Sequence, residues 1–198
     1  MRFPNFLFED MTAKITIRWC LINLGNTNYG FVKTLYIVRH AKSSWEDPAL
    51  SDFDRPLNER GKRDAPRMGK RLKERDIVLD LMISSPAKRA YATGKKIADV
   101  LSFPHEKINQ EEKLYHASED RLLDIIHKIK DHYHSVMIVG HNPGLTDFAN
   151  SLVDGNIFNV PTCGIVACRL NVDSWKDVHW GKGELVFYDY PKNKGSEL

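Results

Sequence analysis

The sequence predicts an α/β fold: a three-layer α/β/α sandwich on a mostly parallel sheet with an antiparallel edge. Three observations predict it. Apolar runs rich in β-formers at residues 34–39, 79–84 and 135–140 each lead into a loop and then a helical pattern. The crossovers between them are helical, as parallel strands require. Two later runs, 165–172 and 184–190, are joined by a Gly-containing loop and read as a hairpin that adds the antiparallel edge.

Residues 1–32 do not fit that pattern. They are rich in Asn and aromatics without a sustained period, although Ile15, Ile17 and Trp19 alternate with Thr16 and Arg18 as a short strand would. They are expected to be an N-terminal extension outside the core, even one translated upstream of the natural start if Val32 is encoded by GTG. The core domain is expected over 33–191, with a frayed polar tail over 192–198.

After the first strand comes a loop, 41–56, full of Ser, Asp and Pro and longer than a usual connection, which marks a loop with a task. Asn58 caps a helix to about residue 75, with Met68 and Leu72 on one face. Gly61 and Gly69 weaken it, and close packing would explain them. After the second strand, Ser84 or Ser85 is expected to cap a helix with Pro86 in its first turn, which puts Lys88 and Arg89 there too. A short strand at 107–109 and a loop at 114–118 follow. Ser118, Glu119 and Asp120 open an amphipathic helix to about residue 131, burying Leu122, Ile125, Ile126 and Ile129. The third strong strand ends in His141-Asn142-Pro143-Gly144, and a helix runs on to about 153.

At 198 residues and 42% hydrophobic content the chain can bury one domain's core. A net charge of +3, with no basic run interleaved with aromatics, argues against nucleic acid. Three cysteines without a C-x-x-C exclude a disulfide framework and a cysteine zinc site. The apolar stretch at 3–8 is broken by Pro4 and Asn5, so no signal peptide or membrane span is expected and the cytoplasm is favoured.

Three buried strands end at basic or imidazole groups: Arg39-His40, Arg89 one turn into the next helix, and His141. Parallel strands point their carboxyl ends into one crevice, so these side chains can converge. Two guanidiniums and two imidazoles together need an anion, and phosphate suits the Arg fork. Each residue alone has a bland reading as a structural His or a solvated Arg. His105, His132, His134 and His179 are read as surface residues. There is no H-E-x-x-H and no phosphate-binding G-x-x-x-x-G-K-[ST] loop, so no metal or cofactor is required.

Arg39-His40-Ala41 with Ser43, the block Arg55-Pro56-Leu57-Asn58-Glu59-Arg60-Gly61, Ser84-Ser85-Pro86-Ala87-Lys88-Arg89-Ala90 and Gly140-His141-Asn142-Pro143 resemble the histidine phosphatase superfamily, which includes phosphoglycerate mutases. The resemblance covers roughly residues 33–190, and its R-H-A-K-S-S-W opening looks most like the SixA-type phosphohistidine phosphatases. It implies a phosphoglycerate mutase-like fold with His40 as a transiently phosphorylated nucleophile. It also implies that Arg39, Arg89 and His141 clamp the phosphoryl oxygens and that Ser43 adds a hydrogen bond. Phosphoryl transfer is mostly positioning and charge stabilisation, which such a clamp supplies.

Two departures bear on substrate. Ala41 stands where many members have Gly, as in the SixA-like group. His116 stands where mutases and ester phosphatases place a carboxylate, with Glu111 and Glu112 upstream, so His116 or Glu112 is the candidate proton donor. An alkoxide leaving group needs a proton, whereas phosphohistidine can carry one already. The missing carboxylate, and the lack of an insertion before Ser118 to cover the site, favour an open groove acting on phosphohistidine of a signalling or phosphotransfer protein. A monomer suffices. The competing readings are a small-molecule phosphomonoesterase or mutase of the same fold, and a phosphate- or phosphopeptide-binding module without turnover.

Overall fold

The computed structural model describes residues 32–193. The expectations for residues 1–31 and for 194–198 lie outside these. The described elements, in order, are β1 (Val32–Arg39), α1 (Glu59–Glu74), β2 (Leu81–Ser84), α2 (Lys88–Leu101), β3 (Ile108–Gln110), α3 (Glu119–Ile126), β4 (Ser135–Gly140), α4 (Gly144–Val153), β5 (Ile165–Asn171) and β6 (Gly183–Asp189).

β1 alternates apolar side chains that are buried on both faces, so it occupies the middle of a six-stranded sheet ordered β3-β2-β4-β1-β5-β6. β1, β4, β2 and β3 pair in parallel. β5 runs antiparallel to β1 and to β6, which is the expected antiparallel edge, shifted in register at Ala167/Cys168.

The period of 2 along these strands divides the core into two layers. Leu35 and Ile37 point with Val136 and Ile138 to the face covered by Leu122, Ile125 and Ile126 of α3 and Phe148 and Leu152 of α4. Tyr36 and Val38 point with Met137 and Val139 to the opposite face, covered by Ala65, Met68 and Leu72 of α1 and Ala90 and Ile97 of α2. Helices on both faces of the sheet make the three layers, as the sequence predicts.

The glycines in α1 are packing devices. A Cβ on Gly61 would meet the Lys42 carbonyl at 2.2 Å, and one on Gly69 would meet Val100 Cβ at 3.0 Å. Asn58 caps the helix as expected, accepting from the Gly61 N–H at 2.9 Å.

Four local expectations need correction. α2 begins at Lys88 after Ala87, without a side-chain cap, because the Ser85 hydroxyl accepts from the Ala87 N–H and meets the His141 ring. α3 ends at Ile126 rather than near 131, because Asp131 is drawn into tertiary bonds with Lys33 and Trp175. Val32, assigned to the extension, is the first residue of β1 and pairs with Asn171. Asn193, assigned to the tail, is tied down: its carbonyl accepts from Arg71 at 2.7 Å.

Candidate active site

The sheet register sets the site. Arg39 lies opposite Gly140, and Ser84 lies opposite Val139. The ladder continues one step beyond the strands: the His40 N–H donates to the Gly140 carbonyl at 3.0 Å, and the Ser85 N–H to the Val139 carbonyl at 2.9 Å. Arg39-His40, Ser84-Ser85 and Gly140-His141 therefore emerge side by side, and α2 brings Arg89 back over them. The His40 and His141 rings lie 5.0 Å apart, centroid to centroid.

His40 is held in one tautomer. Its Nδ1 lies 2.8 Å from the Ala41 carbonyl, which can only accept, so Nδ1 carries the proton. Nε2 keeps its lone pair and accepts from Arg89 Nε at 3.3 Å. Burial, outweighing the Ala41 hydrogen bond, and then the charges of Arg89 and Arg39, push the imidazole pKa down to about 4. His40 is thus a neutral base at pH 7, and its lone pair faces the cations.

His141 is buried, at 3% exposure. Its Nδ1 faces Arg89 Nη2 at 3.2 Å and accepts from it, so Nε2 carries the proton and donates to Ser85 Oγ at 2.9 Å. Burial, then His40 and Arg89, push its pKa down to about 2. In this arrangement His141 aims the Arg89 guanidinium, and that fork also meets Asp52 through its side chain at 2.8 Å and through its backbone carbonyl.

Arg39 is held from the other side. Its Nη1 donates to the Val160 carbonyl at 2.8 Å and to Asn159 Oδ1 at 3.3 Å, and Asn159 is gripped in turn by Asn142 at 2.7 Å. Arg39 Nε is buried without a partner, and no carboxylate among the described residues pairs with its charge. A half-buried guanidinium with no carboxylate partner is suited to an oxyanion.

The structure brings together Arg39, His40, Arg89, His141 and His116. The His116 ring stacks on His141 at 5.7 Å, and His116 adopts a left-handed φ of 51°, a strained backbone for a non-glycine residue. Ser43 sits one layer back: its hydroxyl accepts from Arg55 Nη2 at 2.6 Å. Glu112 lies exposed in the 3₁₀ turn Glu112–Leu114, and the bonds and ring contacts of the cluster do not reach it.

The main residue missed from sequence is Asp52. Its carboxylate accepts from the Tyr115 hydroxyl and from Arg55 Nη1, each at 2.8 Å, and lies 3.5 Å from His116 Nε2. A carboxylate therefore reaches the site from another element, the 41–56 loop, but not as the proton donor of ester phosphatases. That loop also folds onto the start of α2, where the Phe53 carbonyl accepts from the Lys88 N–H at 3.0 Å. Burial raises the Asp52 pKa, but hydrogen bonds from Tyr115, Arg89 and Arg55 and the Arg89 charge outweigh it and hold the carboxyl far below its usual range. Asp52 is an acceptor here, not a proton donor. Only the length of its loop hinted at it.

Residues 35–115 match the family model of the histidine phosphatase superfamily, branch 1. A protein of Mycobacterium tuberculosis is 30% identical over 169 residues, covering 78% of this chain and all of that protein. A structure assigned as the phosphohistidine phosphatase SixA of Agrobacterium tumefaciens superposes with a TM-score of 0.70 at 25% identity, covering 80% of this chain and 98% of that one. The phosphoglycerate mutase of Bacillus anthracis superposes with a TM-score of 0.59 at 17% identity, over 81% and 92% of the two chains, and so shares the fold. With Arg39-His40, Arg89 and His141 meeting at the carboxyl ends of the sheet, these matches mean that the chain belongs to the histidine phosphatase superfamily.

Proposed function

We propose that this protein is a phosphatase that uses His40 as its nucleophile and dephosphorylates phosphohistidine on a protein. The observation that carries this reading is the His40 imidazole: neutral, locked with Nδ1–H on the Ala41 carbonyl, and presenting the Nε2 lone pair beside two guanidiniums. The lone pair attacks phosphorus and the bond to the leaving group breaks, its electron pair going to the leaving atom. The Arg39 guanidinium and the Arg89 fork take up the charge on the phosphoryl oxygens. A dianion beside His141 raises the pKa of that ring and lets it donate as well. Water then attacks phospho-His40, releases orthophosphate and restores the imidazole.

A phosphohistidine leaving group can depart with the proton on its other ring nitrogen, so no strong acid is required. The family match and the SixA-like fold support this substrate class. The second reading is a small-molecule phosphomonoesterase, favoured by the Asp52–His116 contact of 3.5 Å, which holds an imidazole beside the clamp where it can donate to an alkoxide. A panel of a phosphohistidine-bearing protein, sugar phosphates and p-nitrophenyl phosphate tests the choice. Higher kcat/KM on the phosphohistidine protein is expected, and a strong preference for the esters overturns the substrate assignment.

A further inference from the structure

We infer that Asp52 determines specificity at this site: its carboxylate, fixed over the mouth of the Arg39–Arg89 clamp, favours phosphorylated groups that carry positive charge and disfavours anionic ones. The inference deepens the function proposed above and rests on it for where the phosphoryl group sits.

Asp52 is held more firmly than a loop side chain needs to be. Oδ2 accepts from Arg89 Nη2 and from the Tyr115 hydroxyl, Oδ1 accepts from Arg55 Nη1, and the backbone carbonyl accepts from Arg89 Nη1. The exposures give the direction of the field. The Asp52 side chain is 42% exposed, against 4% for Arg89 and 7% for Arg55. The guanidiniums lie behind the carboxylate, so the charge that faces outward is negative.

The substrate must pass this point. Arg89, whose Nε donates to His40 Nε2, also holds Asp52, and Tyr115 and half-exposed His116 pack against His141, so whatever is attached to the phosphoryl group extends towards solvent past Asp52, Tyr115 and His116. Once a phosphoryl dianion has balanced the charges of Arg39 and Arg89, the next charge a leaving group meets is Asp52. At separations of about 5 Å, with partial solvent screening, each sign of charge is worth on the order of tenfold in kcat/KM. The favoured class is N-phosphorylated imidazoles, guanidines and amines, together with phosphate esters of cationic alcohols.

The test compares kcat/KM for phosphoethanolamine, whose leaving group is cationic, and phosphoglycolate, whose leaving group is anionic, with a phosphohistidine-bearing protein alongside. Wild type should prefer phosphoethanolamine. Asp52→Asn should move the ratio at least tenfold towards phosphoglycolate, Asp52→Glu should retain the wild-type ratio, and added salt should shrink the difference between wild type and Asp52→Asn. Damage to clamp geometry alone lowers both esters together and leaves the ratio unmoved. An unmoved ratio in Asp52→Asn, or an equal shift in Asp52→Glu, overturns the inference. A shifted ratio without phosphohistidine turnover upholds Asp52 and removes the phosphohistidine assignment. Inactivity of wild type on all three substrates overturns both.

Discussion

His40 shows how a single hydrogen bond can decide a residue's chemistry. The Ala41 carbonyl chooses the tautomer, and burial keeps the ring neutral far into acid. In a ¹⁵N NMR titration the His40 Nε2 signal should therefore stay unprotonated until the pH approaches about 4. A midpoint near the ordinary histidine value, about 6.5, would contradict this environment. Arg89 is the second decisive residue, because its fork joins His40, His141 and Asp52. Arg89→Ala should lower kcat by on the order of 10²-fold or more, as for loss of one preorganised donor. Arg89→Lys should recover little of it, because an ammonium cannot reproduce the fork; recovery to near wild-type rate in steady-state assays would show that charge alone suffices.

At the scale of elements, the site depends on backbones that approach each other closely. The Gly144 position at the start of α4 has no room: a Cβ there would meet the Ala117 carbonyl at 1.9 Å. Gly144→Ala must push α4 away from the Tyr115–Ala117 segment, and should cost about 1–3 kcal/mol, as overpacking does. Denaturant unfolding would measure that loss, and an unchanged midpoint would refute the crowding. Much at this scale was legible in the sequence. β1, β2 and β4 announced themselves because both faces are buried, and Arg39, Arg89 and His141 could be placed because parallel strands share a carboxyl edge. The end of α3 and the cap of α2 were not legible, because tertiary partners decide them: Lys33 and Trp175 at Asp131, and His141 at Ser85. Asp52 was illegible for a related reason. The path of an irregular loop leaves no period in a sequence, so nothing but the loop's length pointed to Asp52 within it.

For the whole molecule, the buried imidazoles link function to stability. His40 and His141 have folded-state pKa values of about 4 and about 2, below the ordinary value near 6.5. Between pH 6.5 and about 4 the unfolded chain binds protons that the folded chain refuses, so stability should fall as pH falls through that window. Each such imidazole contributes at most about 1.4 kcal/mol per pH unit. Calorimetric Tm values should therefore decline from pH 7 to pH 4.5, and less steeply in His40→Gln; equal slopes would show that His40 is not linked to folding. The central claim is the covalent role of that same ring, and rapid-quench trapping with a ³²P-labelled phosphodonor tests it most directly. The expected result is an acid-labile, base-stable phosphoryl group that maps to His40 within one turnover and is absent from His40→Ala. Turnover with no phosphoenzyme, or with the label on another residue, would contradict it.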